Sequence, residues 1–288
     1  MDFINAKELL KICNTQNISI SKAMQARELS TTALPQEEIL AKMTRAYEIM
    51  KGSIAESLST SRRSMGGLIG GEALKLKSFA KNSKSICGTP TSKAIMYAMG
   101  VLEVNASMGL VVAAPTGGSS GVIPGVFAAF QEEFGLEDEI MVQGLFNAAA
   151  IGYIITRNGS VSGAEAGCQA EVGSAAAMAA AAVTELAGGC PETCLNAASF
   201  ALSNLMGLVC DPIGGLVEEP CQKRNAIGAS NALICAEMAL AGIKSIIPFD
   251  EMVECMLKVG ASLPCELRET AMGGMAIAPS APKFDYGI

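Results

Sequence analysis

Three of the ten cysteines stand apart by their surroundings. Cys168 in AEAGCQAEVGS, Cys210 in GLVCDPIGG and Cys221 in VEEPCQKRN each sit beside a break in the helical pattern and among polar residues. A thiolate that binds metal must be deprotonated and within the metal's reach, which suits loops and helix starts better than mid-helix packing positions. The spacing forms no CxxC pattern, so by itself it leaves disulfides, metal ligation and burial as small apolar side chains all open. Cys235 in NALICAEMAL and Cys255 in MVECMLK lie inside amphipathic helices, the usual setting of a core cysteine. Cys190 and Cys194 bracket Pro191 at a predicted helix start, where capping or packing serves as well as ligation.

The chain has no His and no Trp. That excludes a Ser-His or Cys-His dyad, a His general base and a His-ligated zinc or haem. Chemistry must rest on Cys, Asp, Glu, Lys, Arg, Ser, Thr, Tyr, the backbone or a bound cofactor. A net charge of −7 and a pI near 4.9 argue against a protein that tracks nucleic-acid phosphates. The N-terminus carries Asp2 and Glu8 in an amphipathic run, unlike a secretory signal, so a cytoplasmic chain with reduced thiols is expected.

Mean hydropathy is +0.36, and Val104 to Gln131 is free of charge. Pro115, Pro124, Asn105 and the run Gly117-Gly118-Ser119-Ser120-Gly121 would break a spanning helix there, and Gly173 to Gly189 is mostly Ala with Glu185 near its end. No membrane role is expected.

The elements that must position the cysteines read as helices. AKELLKICNTQ, NISISKAMQARELS and PQEEILAKMTRAYEIMKGSIAESL have apolar residues at three-to-four spacing. Thr60 to Gly88 reads as a Gly-rich connection opening a basic, partly exposed helix or arm. From Pro90 onward, apolar helices alternate with Gly-rich breaks. AEAGCQAEVGSAAAMAAAAVTELAGG and PFDEMVECMLKVGASLPCELRETAMGG are each taken as a helical stretch. Strand-like alternation is confined to short pieces such as GLVVAAP. The predicted fold is all-α: one large helical domain over residues 1–288 with buried apolar central helices, residues 1–60 being a possible N-terminal lobe.

The runs APTGGSSGVIPG, SGAEAGCQAEVGSAAAMAAAA, LVCDPIGGLVEEPCQKRNAIGASNA and LRETAMGGMA closely resemble the α-chain, or catalytic domain, of the bacterial iron–sulfur L-serine dehydratases. The resemblance covers nearly the whole chain. It implies that Cys168, Cys210 and Cys221 hold a [4Fe–4S] cluster and that L-serine is converted to pyruvate and ammonia without pyridoxal phosphate. Three cysteines for four irons leave one iron open to act as a Lewis acid on the substrate hydroxyl. Amino-acid degradation feeding gluconeogenesis, and sensitivity to oxygen, follow as expectations. The alternatives are a related [4Fe–4S] lyase acting on L-cysteine or L-threonine, and a non-catalytic iron–sulfur sensor.

The loop Thr116, Gly117, Gly118, Ser119 and Ser120 is the candidate for the substrate carboxylate, because its amides and hydroxyls could converge on an anion ahead of a helix beginning near Val122. A tight helix–helix crossing is the plain alternative. For the base, Glu171, Asp211, Glu218, Glu219 and Lys75 are all possible and the sequence does not choose. Glu171, three residues after Cys168, would lie on nearly the same helix face. Among the basic residues Arg62, Arg63, Lys75, Lys223 and Arg224, the two that follow Cys221 rank above the Arg62–Arg63 pair, although a run of charges is most often a solvated face. Glu171, Lys75 and Lys223 are carried forward as catalytic candidates.

The chain ends at Phe284-Asp285-Tyr286-Gly287-Ile288, without a cysteine after Cys265, whereas single-chain members of the family carry a regulatory domain and, in some, a tail cysteine. It therefore looks like the α-subunit of the two-chain form, with a separate β-chain in an α2β2 or larger hetero-oligomer and no tail inhibition.

Overall fold

The computed structural model describes residues 2–284; Asp285–Ile288 of the terminal run lie outside the described residues. Twelve α-helices among the described residues make the fold all-α, as the sequence predicts. They are α1 (Ala6–Gln16), α2 (Ile20–Thr32), α3 (Gln36–Ser57), α4 (Glu72–Asn82), α5 (Thr89–Ala106), α6 (Val122–Phe134), α7 (Asp138–Asn158), α8 (Gly163–Ala166), α9 (Ser174–Leu186), α10 (Pro191–Leu205), α11 (Cys221–Leu240) and α12 (Phe249–Ser262). Local chemistry sets their limits. Asn5 and Ser19 accept hydrogen bonds from the third residue of α1 and α2, and α10 starts at Pro191, where a missing amide costs nothing.

The centre is α9, whose residues Ser174 to Thr184 are all buried. Its alanine run lets α6, α7, α10 and α11 close around it, with α5 lying against α6 and α11. The first three helices share this core: α1 rests on α10 and α12, α2 on α7, and α3 on α5, α6 and α7, so that Phe3, Leu9, Ile20 and Tyr47 belong to the same apolar cluster as Val253 and Met256. α7 is the one helix among the described residues long and apolar enough to span a bilayer, but 67% of its apolar window is buried inside the protein, as in a core helix.

Two predicted helices are broken where the candidate site lies. Gly167, at φ 76°, ends the single turn of α8, after which residues 169–173 form a π-turn before α9. The stretch from Phe249 stops at Ser262, two residues before Pro264, which disfavours helical geometry in the residue preceding it and cannot donate an amide hydrogen bond. Two 3-10 turns, Cys265–Leu267 and Gly274–Ile277, follow, joined by bends, with one isolated parallel bridge among the described residues, between Cys210 and Arg268. The piece GLVVAAP is irregular rather than a strand.

Backbones approach closely where α5 crosses α6: a Cβ on Gly125 would stand 2.7 Å from the Ala94 carbonyl oxygen and 2.8 Å from the Ala98 nitrogen. Gly125→Ala is expected to lower Tm by roughly 2–10 °C, since overpacking costs about 1–3 kcal/mol. Gly52→Ala, on an exposed turn of α3 with nothing within 4 Å, is expected to raise stability by about 0.5–1 kcal/mol. Thermal unfolding of the two variants checks the pair of opposite signs.

Candidate active site

Cys168, Cys210 and Cys221 come from three different local structures and meet in one buried region. Cys168 follows the Gly167 break and opens the π-turn. Cys210 lies in an extended stretch fixed to the C-terminal segment by its own backbone: its amide donates to the Leu267 carbonyl (2.8 Å) and its carbonyl accepts from the Glu269 amide (2.7 Å). Cys221 is the first residue of α11. All three thiols are buried. Burial pushes each of them up, Cys168 to about 12, and the charge of an ionised Cys168 raises Cys210 and Cys221 further. Groups that act on one another in this way occupy one electrostatic site.

The opposing charge is Arg224, one turn into α11. Its guanidinium pairs with Asp211 (2.7 Å) and donates to the Val209 carbonyl (2.8 Å), which holds it beside the Cys210 stretch. From there it lowers the pKa of Cys168 and of Cys221. Asp211 also accepts from the Met275 amide (2.7 Å), so it organises the cysteine surroundings rather than standing free as a base.

The π-turn aims Glu171 into the same region; such turns recur at functional sites because they re-aim side chains within a helix. Glu171 Oε1 accepts from the Thr116 hydroxyl (2.7 Å), and Oε2 lies 4.0 Å from Cys210 Sγ. Two glycines make room for this carboxylate: a Cβ on Gly118 would be 2.9 Å from Oε1, and one on Gly163 would be 2.7 Å from Oε2. Burial is the main cause of its raised pKa; the Thr116 bond works against that and the Glu269 charge adds to it.

The loop at 116–120 forms a short 3-10 turn ahead of α6, closed by a capping box between Thr116 and Ser119. The Ser119 hydroxyl is spent inside the loop, whereas the buried Ser120 hydroxyl has no partner. The amides of Ser119, Ser120 and Gly121 are bonded within the protein, leaving those of Gly117 and Gly118 without an internal acceptor. Asn225 fixes the loop to the helix of Cys221: its side chain donates to the carbonyls of Gly118 (2.7 Å) and Cys221 (2.9 Å) and accepts from the Gly121 amide (3.0 Å).

The other candidates lie elsewhere. Lys75 is exposed on α4 and pairs with Glu72, and Lys223 is exposed and pairs with Glu219; neither joins Glu171 among the charges acting most strongly on the thiols. Glu218 is buried and grips the Gly-rich connection, accepting from the Ser64 hydroxyl and the Gly66 and Leu68 amides. Arg62 pairs with Glu56. Asn225, Gly163 and Glu269 were not singled out from the sequence. Asn225 falls four residues after Cys221, a helical spacing that could have marked it; Gly163 and Glu269 carry no such local signal. Two grooves of about 520 Å³ each are lined by none of the site residues.

Residues 15–276 match the family described as serine dehydratase alpha chain. The probable L-serine dehydratase, alpha chain, of Bacillus subtilis is 46% identical over 99% of this chain and 95% of its own length. The L-serine dehydratase, alpha chain, of Peptoniphilus asaccharolyticus is 42% identical over 97% of this chain and 96% of its own length. The longer L-serine dehydratase TdcG of Escherichia coli is 39% identical over 96% of this chain, which covers 62% of that protein. On both the family match and these near full-length relatives, the chain belongs to the serine dehydratase alpha chain family.

Proposed function

We propose that this chain is the catalytic subunit of an L-serine dehydratase that converts L-serine to pyruvate and ammonia, with a [4Fe–4S] cluster held by Cys168, Cys210 and Cys221. The observation that carries the reading is the meeting of three buried thiols, from three remote segments, with the Glu171 carboxylate and the Arg224 guanidinium. The residues fit such a group. Buried thiols with raised pKa values are inert until a metal takes their protons, and Arg224 offsets part of the resulting negative charge. Among the described residues no three His, Cys, Asp or Glu side chains stand close enough to share a single metal ion. A cluster would not require that, because each of the three cysteines would hold a different iron.

When bound, a cluster with three protein ligands supplies one iron as a Lewis acid that makes the substrate hydroxyl a better leaving group. The protein's own groups do the rest. The free amides of Gly117 and Gly118 and the hydroxyl of Ser120 receive the substrate carboxylate. Glu171 takes the Cα proton at Oε2, the oxygen not engaged by Thr116, while the Thr116 hydroxyl holds Oε1 in place. The Cβ–O bond breaks, and the proton on Glu171 leaves with the hydroxide as water. The 2-aminoacrylate left behind tautomerises to its imine and hydrolyses to pyruvate and ammonia.

Relatives matched over nearly their full length are named alpha chains, which supports a separate β-chain as the partner; an α2β2 or larger hetero-oligomer is the assembly proposed with it. A cytoplasmic, oxygen-sensitive enzyme of amino-acid degradation is the setting consistent with reduced thiols and an open iron.

The ligand assignment is tested by replacing each cysteine with Ser. The variants at 168, 210 and 221 are expected to lose iron and pyruvate formation together, whereas Cys235→Ser, a core position, keeps both; iron retained at 168 and lost at 235 would reverse the assignment. Glu171→Gln is expected to keep its iron but lose about 10²–10⁴ in kcat, along with solvent exchange at the substrate Cα. Ser120→Ala is expected to raise KM for L-serine about tenfold while kcat stays within about twofold, the pattern of a lost ground-state contact to a charged group.

A further inference from the structure

The segment LRETAMGGM is part of the family resemblance, yet nothing in the reaction as derived so far uses it. Its backbone is fastened to the cysteine site at three points: the Leu267 carbonyl to the Cys210 amide, the Glu269 amide to the Cys210 carbonyl, and the Met275 amide to Asp211. Between these anchors Glu269 adopts φ 65° and Ala271 φ 55°, left-handed conformations that residues other than glycine rarely adopt and that persist where surrounding bonds over-determine them.

The turn brings the Glu269 carboxylate to the bare face of Gly163. Around the position that a Cβ on Gly163 would take stand Glu171 Oε2 at 2.7 Å, Cys210 Sγ at 3.0 Å and Glu269 Oε2 at 3.2 Å. Glu171 is held from behind by Thr116, whereas among the described residues no hydrogen bond or ion pair engages the Glu269 side chain, which is exposed. Its charge acts on both Glu171 and Cys210. Both carboxylate oxygens lie within 3.2 Å of one point beside the Gly163 Cα, and two such neighbouring charges match a primary ammonium, whose N–H groups reach oxygens at about 2.7–2.9 Å.

We propose that Glu269 binds the α-ammonium of the substrate, with Glu171 Oε2 as its neighbour across Gly163, and so restricts the site to free α-amino acids. The inference rests on the dehydratase reading and adds a recognition residue to it. The three substituents of the substrate then have separate partners: the carboxylate goes to the 116–120 loop, the Cα proton to Glu171 and the ammonium to Glu269. A Cβ on Gly163 would crowd the two carboxylate oxygens that face the ammonium, Glu171 Oε2 at 2.7 Å and Glu269 Oε2 at 3.2 Å.

The test uses the anaerobically reconstituted enzyme with its β-chain, as wild type, Glu269→Gln and Glu269→Asp, and two competitive inhibitors that differ in the amino group, L-alanine and 3-hydroxypropanoate. In Glu269→Gln, KM for L-serine and Ki for L-alanine are expected to rise about tenfold or more. Ki for 3-hydroxypropanoate and the iron content should stay at wild-type values, and Glu269→Asp should fall between the two. An unchanged KM, or equal weakening of both inhibitors, overturns the assignment. Loss of iron in Glu269→Gln does the same, by making Glu269 a support of the cysteine site. If the wild type itself forms no pyruvate, the dehydratase reading falls and takes this inference with it; pyruvate from the wild type with an indifferent Glu269→Gln leaves that reading intact.

Discussion

Three thiols that repel one another once ionised share one buried space, and the parts of the structure around them answer that electrostatic constraint. Ionised sulfur away from water is stable only with a bound metal or a nearby cation. Arg224 is the nearby cation, and it is not free to wander. Asp211 and the Val209 carbonyl hold its guanidinium, and Asp211 is itself held by the Met275 amide. The chain of contacts thus runs from the C-terminal segment through Asp211 and Arg224 to the sulfurs, with Cys210 bonded into the same segment by its backbone.

The second requirement is that segments far apart in sequence keep a fixed relation. A buried Asn225 with both of its amide hydrogens donated and its oxygen occupied ties the 116–121 loop to the helix that Cys221 begins. The π-turn and the Gly167 break set the direction of Cys168 and Glu171 together, so the thiol and the carboxylate are placed by one local distortion. The alanine-filled α9 behind them lets four helices pack at short range, which gives these polar contacts a rigid backing.

Much of this was legible in the sequence. Helical periodicity and the absence of strand alternation gave the all-α fold; of the two cysteines read as core positions inside amphipathic helices, Cys235 is buried but Cys255 is exposed, because α12 turns that face to solvent. What periodicity cannot register is the form a break takes: the residues around Cys168 mark a break, but not that one turn of helix ends at Gly167 and a π-turn follows before α9. Lys223 looked promising because it follows Cys221, yet on α11 it faces solvent and Glu219, while its neighbour Arg224 turns inward; adjacent residues on a helix point about 100° apart. Glu269 was invisible for another reason, since its place depends on a backbone turn and on bonds to Cys210, none of which leaves a trace in residue spacing.

The central claim is that these three cysteines hold a cluster with one iron open to substrate. Mössbauer spectra of the anaerobically reconstituted protein with its β-chain, taken with and without L-serine alongside a pyruvate assay, address it most directly. The account predicts one iron distinct from the other three, a shift of that iron alone on adding L-serine, and pyruvate in the same sample. Four equivalent irons that ignore L-serine, with no pyruvate formed, would contradict it.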